Sequence, residues 1–286
     1  MKKEILCPAK INLFLDVVSK RDDGYHNICS VMQSVSLYDT IMVEISDSDK
    51  AEIFIESNDT SIAWDKTNLV YKAAQLFLEM IKAQSKKISI RVDKKIPIGA
   101  GLAGGSTDAA GTLIALNELF SLPLNEKELC EMGQKLGADI PFCITGGTCL
   151  CEGTGEIISK LSSIKGHTAL VSIGGERIST PYAYSQIDKM DGYENLDPEK
   201  MLKAIEENDF DLVCSDLYNI FEKAIEPLPN SVKEIKNICL TNGAKGALMS
   251  GSGPATFALF DDERKAKDAK KELDKRGYLS FLCKTL

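Results

Sequence analysis

The chain has 286 residues, 44% of them hydrophobic and 27% charged, with a formal net charge of -8. That balance belongs to a globular protein and excludes disordered, collagenous and coiled-coil chains. An excess of acid, 42 Asp and Glu against 34 Lys and Arg, argues against a broad nucleic-acid-binding face, which needs surplus cations.

The length allows one large domain or two of ordinary size. No apolar run approaches the roughly 18 residues of a membrane span. Glu4 and Lys10 interrupt MKKEILCPAKINLFLDVV where a signal peptide would be apolar, so a cytoplasmic protein with no membrane partner is expected. Nine cysteines are scattered without a C-x-x-C pair, and the histidines are His26 and His167. Reduced, mostly buried thiols and no metal-ligand set are therefore expected.

Ile11, Leu13 and Leu15 alternate as in a strand, and Ile41–Ile45 and Glu52–Ile55 are further short β-type runs around a charged turn, Lys20–Gly24. From Asn68 to about Ala83 the apolar spacing becomes helical. A strand over Ile88–Val92 feeds the segment PIGAGLAGGSTDAAGTLIALNELF, and a helix follows from Glu126 to about Leu136. Beyond Gly155 come a strand at Thr168–Ile173, helices near Pro181, Pro198 and Ser231, and a strand ending at Met249. A glycine turn SGSGP, a strand at Thr256–Phe260, a helix at Glu263–Arg276 and a strand at Tyr278–Leu282 complete the chain. This irregular alternation predicts an α+β protein of two domains, 1–160 and 161–286.

Gly99, Gly101, Gly104 and Gly105 lie directly between a strand and a helix. Glycines permit a tight turn and close approach of backbone to ligand, and a helix start favours phosphate. Ser106, Thr107 and Asp108 are capping types and predict the start of that helix. The Walker-type sequence G-K-[ST] is absent. Gly99, Gly101 and Gly104 satisfy G-x-G-x-x-G, but the acidic residue about 20 positions on, Glu118, falls within the helix, so the dinucleotide context fails. A phosphate cradle and a purely structural corner are the readings left.

Three segments together resemble the GHMP kinase superfamily: Pro8-Ala9-Lys10-Ile11-Asn12-Leu13, the run from Pro97 to Ala110, and Met249-Ser250-Gly251-Ser252-Gly253-Pro254-Ala255. PAKINLFLDVVSKRDDGYHNICSVMQSV, LGADIPFCITGG and MSGSGPATFALF extend the resemblance to its branch acting on cytidine-diphosphate-linked methylerythritol. The resemblance implies an ATP-dependent kinase of the non-mevalonate isoprenoid pathway that phosphorylates the 2-hydroxyl of that small molecule. It also implies an N-terminal domain like domain 2 of ribosomal protein S5 and a ferredoxin-like C-terminal domain, in a monomer or weak homodimer.

Asp139 stands between small and apolar neighbours, where a carboxylate has either a structural partner or a catalytic task. The resemblance implies the second, as general base. Lys10 would by default reach for solvent; the resemblance makes it the fixed cation beside Asp139. It further implies that Pro97, Ile98, Gly99, Ala100, Gly101, Leu102, Ala103, Gly104, Gly105, Ser106 and Thr107 hold the ATP phosphates, with Asn68 lining the adenine pocket. Asn12, Tyr25, His26 and Tyr184 carry over as substrate contacts, with Tyr182 able to replace Tyr184 in stacking on cytosine. Position 32 is Met, where some members carry an aromatic. Magnesium is implied, held by phosphates and water, with no protein ligand.

Two alternatives are a homoserine or mevalonate kinase, against which Tyr25, His26 and Lys10 argue, and a nucleotide sensor without catalysis. Such a sensor should lack the Lys–Asp pair.

Overall fold

Ala9 to Val17 are buried without a break in the middle of strand β1 (Lys2–Lys20). A strand buried on both faces reads as a continuous run, so the alternation of Ile11, Leu13 and Leu15 marks the strand but not its nineteen-residue length. The structure, a computed structural model, describes residues 1–83, 85–121, 124–190 and 192–286. No helix among the described residues is long and apolar enough to cross a membrane.

Two compact units share the chain. One comprises Met1–Ala9, Tyr38–Ile98 and Ala103–Thr145; the other comprises Lys10–Leu37, Gly99–Leu102 and Gly146–Leu286. They interleave in sequence.

In the first unit the later part of β2 (His26–Asp47) pairs antiparallel with β4 (Lys86–Asp93), from Thr40 opposite Asp93 to Asp47 opposite Lys86. Strand β3 (Glu52–Ser57) runs parallel to β4 on its other edge. Helix α1 (Leu69–Met80) packs on α2 (Gly104–Leu119), and α4 (Ile140–Thr145) packs on both α2 and α3 (Glu126–Gln134). Asn125 and Glu128 form a reciprocal cap on α3.

Helix α2 departs from expectation. It starts at Gly104, and its N-cap is Ala103 in the left-handed region at φ 57° with no side-chain cap. Ser106, Thr107 and Asp108 therefore lie inside the helix and do not cap it. The reason is steric: a Cβ on Gly104 would stand 3.1 Å from Ile96 Cγ2 and 3.3 Å from Lys94 Nζ. A glycine there lets the helix begin close against the chain leaving β4.

In the second unit β5 (Thr148–Gly153) pairs antiparallel with residues 28–33 of β2, and β6 (Ile157–Lys160) pairs with β5. Strand β7 (Thr168–Ile173) is followed by α5 (Thr180–Ile187), α6 (Glu199–Glu206) and α7 (Phe210–Ser215). The short β8 (Tyr218–Asn219) runs parallel to β1 at Phe14 and Leu15 and leads into α8 (Ile220–Ala224). Then come α9 (Asn230–Thr241), β9 (Gly246–Met249), β10 (Thr256–Phe260), α10 (Glu263–Lys275) and β11 (Leu279–Lys284). Four of these strands form an antiparallel sheet in the order β11-β7-β10-β9. Leu170, Ala258 and Phe260 of that sheet pack with Ile235, Ala269 and Leu273 from α9 and α10. Both units mix helices and strands, as an α+β chain should.

Candidate active site

The segment between β4 and α2 bends through left-handed conformations at Gly99 (φ 66°), Gly101 (φ 83°) and Ala103. The first intrahelical bond of α2 runs from Thr107 N–H to the Ala103 carbonyl at 2.9 Å. The N–H groups of Gly104, Gly105 and Ser106 precede it and have no partner within the helix. With no side-chain cap, this end keeps donors and the positive end of the dipole for an anion. Among the described residues the buried Thr107 hydroxyl has no hydrogen-bond partner. These features fit a phosphate chain. Among the described residues no group of three or more His, Cys, Asp or Glu could hold a metal ion.

Residues 99–102 belong to the second unit, where β1 and the late glycine turn pin them. Lys10 N–H donates to the Leu102 carbonyl at 3.1 Å, and Ala255 N–H to the Ala100 carbonyl at 3.0 Å. Ser250 Oγ donates to the Gly101 carbonyl at 3.0 Å. Asn219, at the start of α8, holds the turn from behind by donating to the carbonyls of Met249 and Gly251, each at 2.8 Å.

Lys10 does not reach for solvent; it is 4% exposed. Its ammonium donates to Asn12 Oδ1 at 2.6 Å, Asn12 Nδ2 donates to Ser30 Oγ at 2.8 Å, and Ser30 Oγ donates to the Phe14 carbonyl. Alternate positions of one strand share a face, which brings Lys10 and Asn12 together. Among the described residues the other two lysine N–H donors meet no further acceptor.

Tyr25 stands 68% exposed on the turn between β1 and β2. His26 beside it turns inward: its ring stacks on Tyr184 at 4.8 Å, and Nε2 lies 2.9 Å from Asp188 Oδ1. Tyr184 meets the edge of Phe221 at 5.0 Å. Tyr182 points outward at 47% exposure, and Met32 is wholly interior.

The remaining expected residues lie in the first unit. Asn68 caps α1: its Oδ1 accepts from Val70 N–H at 2.9 Å and its Nδ2 donates to the Ala63 carbonyl. Asp139 is half-buried, one residue before α4, and its carbonyl accepts from Cys143 N–H. Ile140 and Phe142 after it are buried in the interior.

Sequence reasoning missed one buried group beneath the start of α2. Lys94 pairs with both Asp39 and Asp108, the latter at 2.6 Å, and Asp39 Oδ1 also accepts from Ile96 N–H at 2.8 Å. Burial pushes the Asp108 carboxyl up to about 7; Lys94 opposes this and Asp39 adds to it. Asp188, Ser30 and Asn219 were missed as well. Nothing local marks any of them, because their partners are brought together by folding.

Residues 68–147 match the family described as GHMP kinases N terminal domain, and residues 201–279 match GHMP kinases C terminal. The chain is 42% identical over 259 residues to the 4-diphosphocytidyl-2-C-methyl-D-erythritol kinase of Clostridium novyi (strain NT), covering 91% of each protein. It is 41% identical to that of Clostridium tetani (strain Massachusetts / E88), covering 97% of this chain and 98% of the relative. A crystal structure of 4-(cytidine 5'-diphospho)-2C-methyl-D-erythritol kinase superposes with a TM-score of 0.83 at 31% identity, covering 99% of both chains. Homoserine kinase from Cytophaga hutchinsonii superposes with a TM-score of 0.80 at 21% identity, covering 100% of this chain and 94% of that one, and shares the fold. At 41–42% identity over nearly the whole chain, and with both GHMP kinase domains matched, the chain belongs to the 4-diphosphocytidyl-2-C-methyl-D-erythritol kinase family of GHMP kinases.

Proposed function

We propose that the chain is an ATP-dependent kinase that phosphorylates the 2-hydroxyl of 4-diphosphocytidyl-2-C-methyl-D-erythritol in non-mevalonate isoprenoid precursor synthesis. The observation that carries the reading is the uncapped start of α2 behind the left-handed loop from Gly99 to Ala103. Such a site suits a polyphosphate. ATP supplies the phosphoryl group, with magnesium held by its phosphates and by water.

The segment from Pro97 to Thr107 holds the phosphates, with the N–H groups of Gly104, Gly105 and Ser106 at the start of α2 and the Thr107 hydroxyl as donors. Asp139, a half-buried residue directly before α4, takes the proton of the acceptor hydroxyl. Lys10, buried against a neutral amide oxygen, provides a fixed positive charge for the oxygens on which charge develops; phosphoryl transfer needs little else from a protein. Asn12 fixes the Lys10 ammonium and contacts substrate. Tyr25 and His26 bind the cytosine ring, with Tyr184 packed behind His26. The adenine end is assigned to the start of α1, where the Asn68 side chain, spent on capping, shapes the backbone.

The test is ADP release with ATP and magnesium, offered the cytidine-diphosphate methylerythritol substrate, homoserine or mevalonate. Turnover with the first alone is expected. Turnover with either of the others would move the chain to another branch, and ATP binding without any turnover would make it a sensor.

A further inference from the structure

Helix α5 ends beside the His26 ring and presents two groups to it. Tyr184 stacks on the ring, and Asp188, four residues on and hence on the same face, lies 2.9 Å from Nε2. The other Asp188 oxygen accepts from Lys20 Nζ at 2.6 Å. The His26 side chain is only 8% exposed, so stacking and this hydrogen bond together fix its orientation.

Lys20, and after it His26, hold the Asp188 carboxyl below the ordinary carboxylate range. The group is then ionised at neutral pH and can only accept. The proton between the two side chains therefore sits on Nε2. In a neutral imidazole the other nitrogen must then be an acceptor. No hydrogen bond within the protein uses Nδ1 among the described residues.

We propose that Asp188 is a specificity-determining positioning residue: by accepting the Nε2 proton of His26 it makes Nδ1 an acceptor, so the site takes a pyrimidine bearing an exocyclic amine in preference to one bearing a carbonyl there. Cytosine offers that amine; uracil presents a second acceptor and leaves two lone pairs opposed. A buried polar group left unmatched discriminates more sharply than a change of shape. The proposal rests on the reading of Tyr25 and His26 as the base-binding pair.

The tautomer is read directly by nitrogen NMR of protein labelled with 15N-histidine, above the pH where imidazole is protonated. His167 lies on Phe210 in a different part of the unit, and a His167→Gln background leaves His26 as the single signal. The expected result is protonation at Nε2 in the otherwise unchanged protein, a mixture of tautomers in Asp188→Ala, and Nε2 again in Asp188→Glu. Protonation at Nδ1 with Asp188 intact overturns the proposal.

Calorimetry with CDP and UDP reads the preference without any turnover. CDP is expected to bind more tightly, and Asp188→Ala to narrow the ratio by about tenfold, the usual loss when a group orienting a histidine is removed, with Asp188→Glu restoring most of it. An unchanged ratio in Asp188→Ala, or no binding of either nucleotide, overturns the proposal. Preferential CDP binding without ADP release from any acceptor would instead sink the proposed function and leave this assignment standing.

Discussion

Lys94 Nζ lies 2.6 Å from Asp108 Oδ2, and both side chains are almost wholly buried. Asp39 takes the other side of the same ammonium. One positive charge is thus shared between two buried carboxyl groups, immediately beneath the turn on which α2 begins. Lys94 is held above its ordinary value, because the two acids outweigh the effect of burial.

The pH dependence of stability follows from Asp108. Its folded value of about 7 lies above the ordinary 3.8, so between the two the native state holds a proton that the unfolded chain has released. That contribution is complete below the ordinary value and is lost as pH rises towards the folded one. Asp108→Asn removes the titration and leaves one cation facing one anion. In urea unfolding the variant should vary less between about pH 5 and about pH 8 than the parent. At the higher pH it should be the more stable by about 1 kcal/mol, as when a costly buried charge is replaced by a neutral group. Parallel pH profiles for the two proteins would assign the dependence to another group.

Gly101→Ala tests the close approach of the late glycine turn to the phosphate loop. Gly101 has φ 83°, and a Cβ there would stand 2.2 Å from the Ser250 carbonyl oxygen. The left-handed conformation alone costs a side chain about 1 kcal/mol or more, and the contact forces backbone to move. A loss of at least 2 kcal/mol of stability is expected, with a raised KM for ATP. Unchanged melting temperature and KM would mean that the turn shifts aside freely.

How much of this was legible in the sequence depends on distance along the chain. Strands β7 and β10 fall where the sequence predicts them, and α1 and α3 lie within the helical stretches expected from Asn68 and from Glu126. The start of α2 was misplaced because Ser106, Thr107 and Asp108 look like caps, while the geometry of Gly104 against Ile96 and Lys94 decides where the helix begins. Helix α4 has too few residues to show a period. Lys10 carries its own signal, a lysine inside an apolar strand. Asp188 carries none, for its meaning comes from His26, 162 residues away.

Tyr25→Ala separates binding from folding. The ring is 68% exposed, and truncating an exposed side chain changes stability by no more than about 0.5 kcal/mol. The KM for the cytidine substrate should rise while melting temperature and ATP affinity hold. A parallel fall in all three would show that Tyr25 supports the turn and does not contact the base.

Lys10 and Asp139 belong to different units of the chain, so their partnership is best tested energetically. Asp139→Asn should lower kcat by about a hundredfold or more, the scale of a lost general base. Lys10→Met, which keeps the buried length and removes the charge, should cost a similar factor. ATP affinity should hold in both, since the phosphates are assigned to the loop backbone. Groups that act as one unit on one transition state are strongly non-additive. The double variant should therefore be scarcely slower than the worse single one. Losses that multiply would mean that the two residues serve separate steps, and near-normal kcat in Asp139→Asn would remove that carboxylate from the proton transfer.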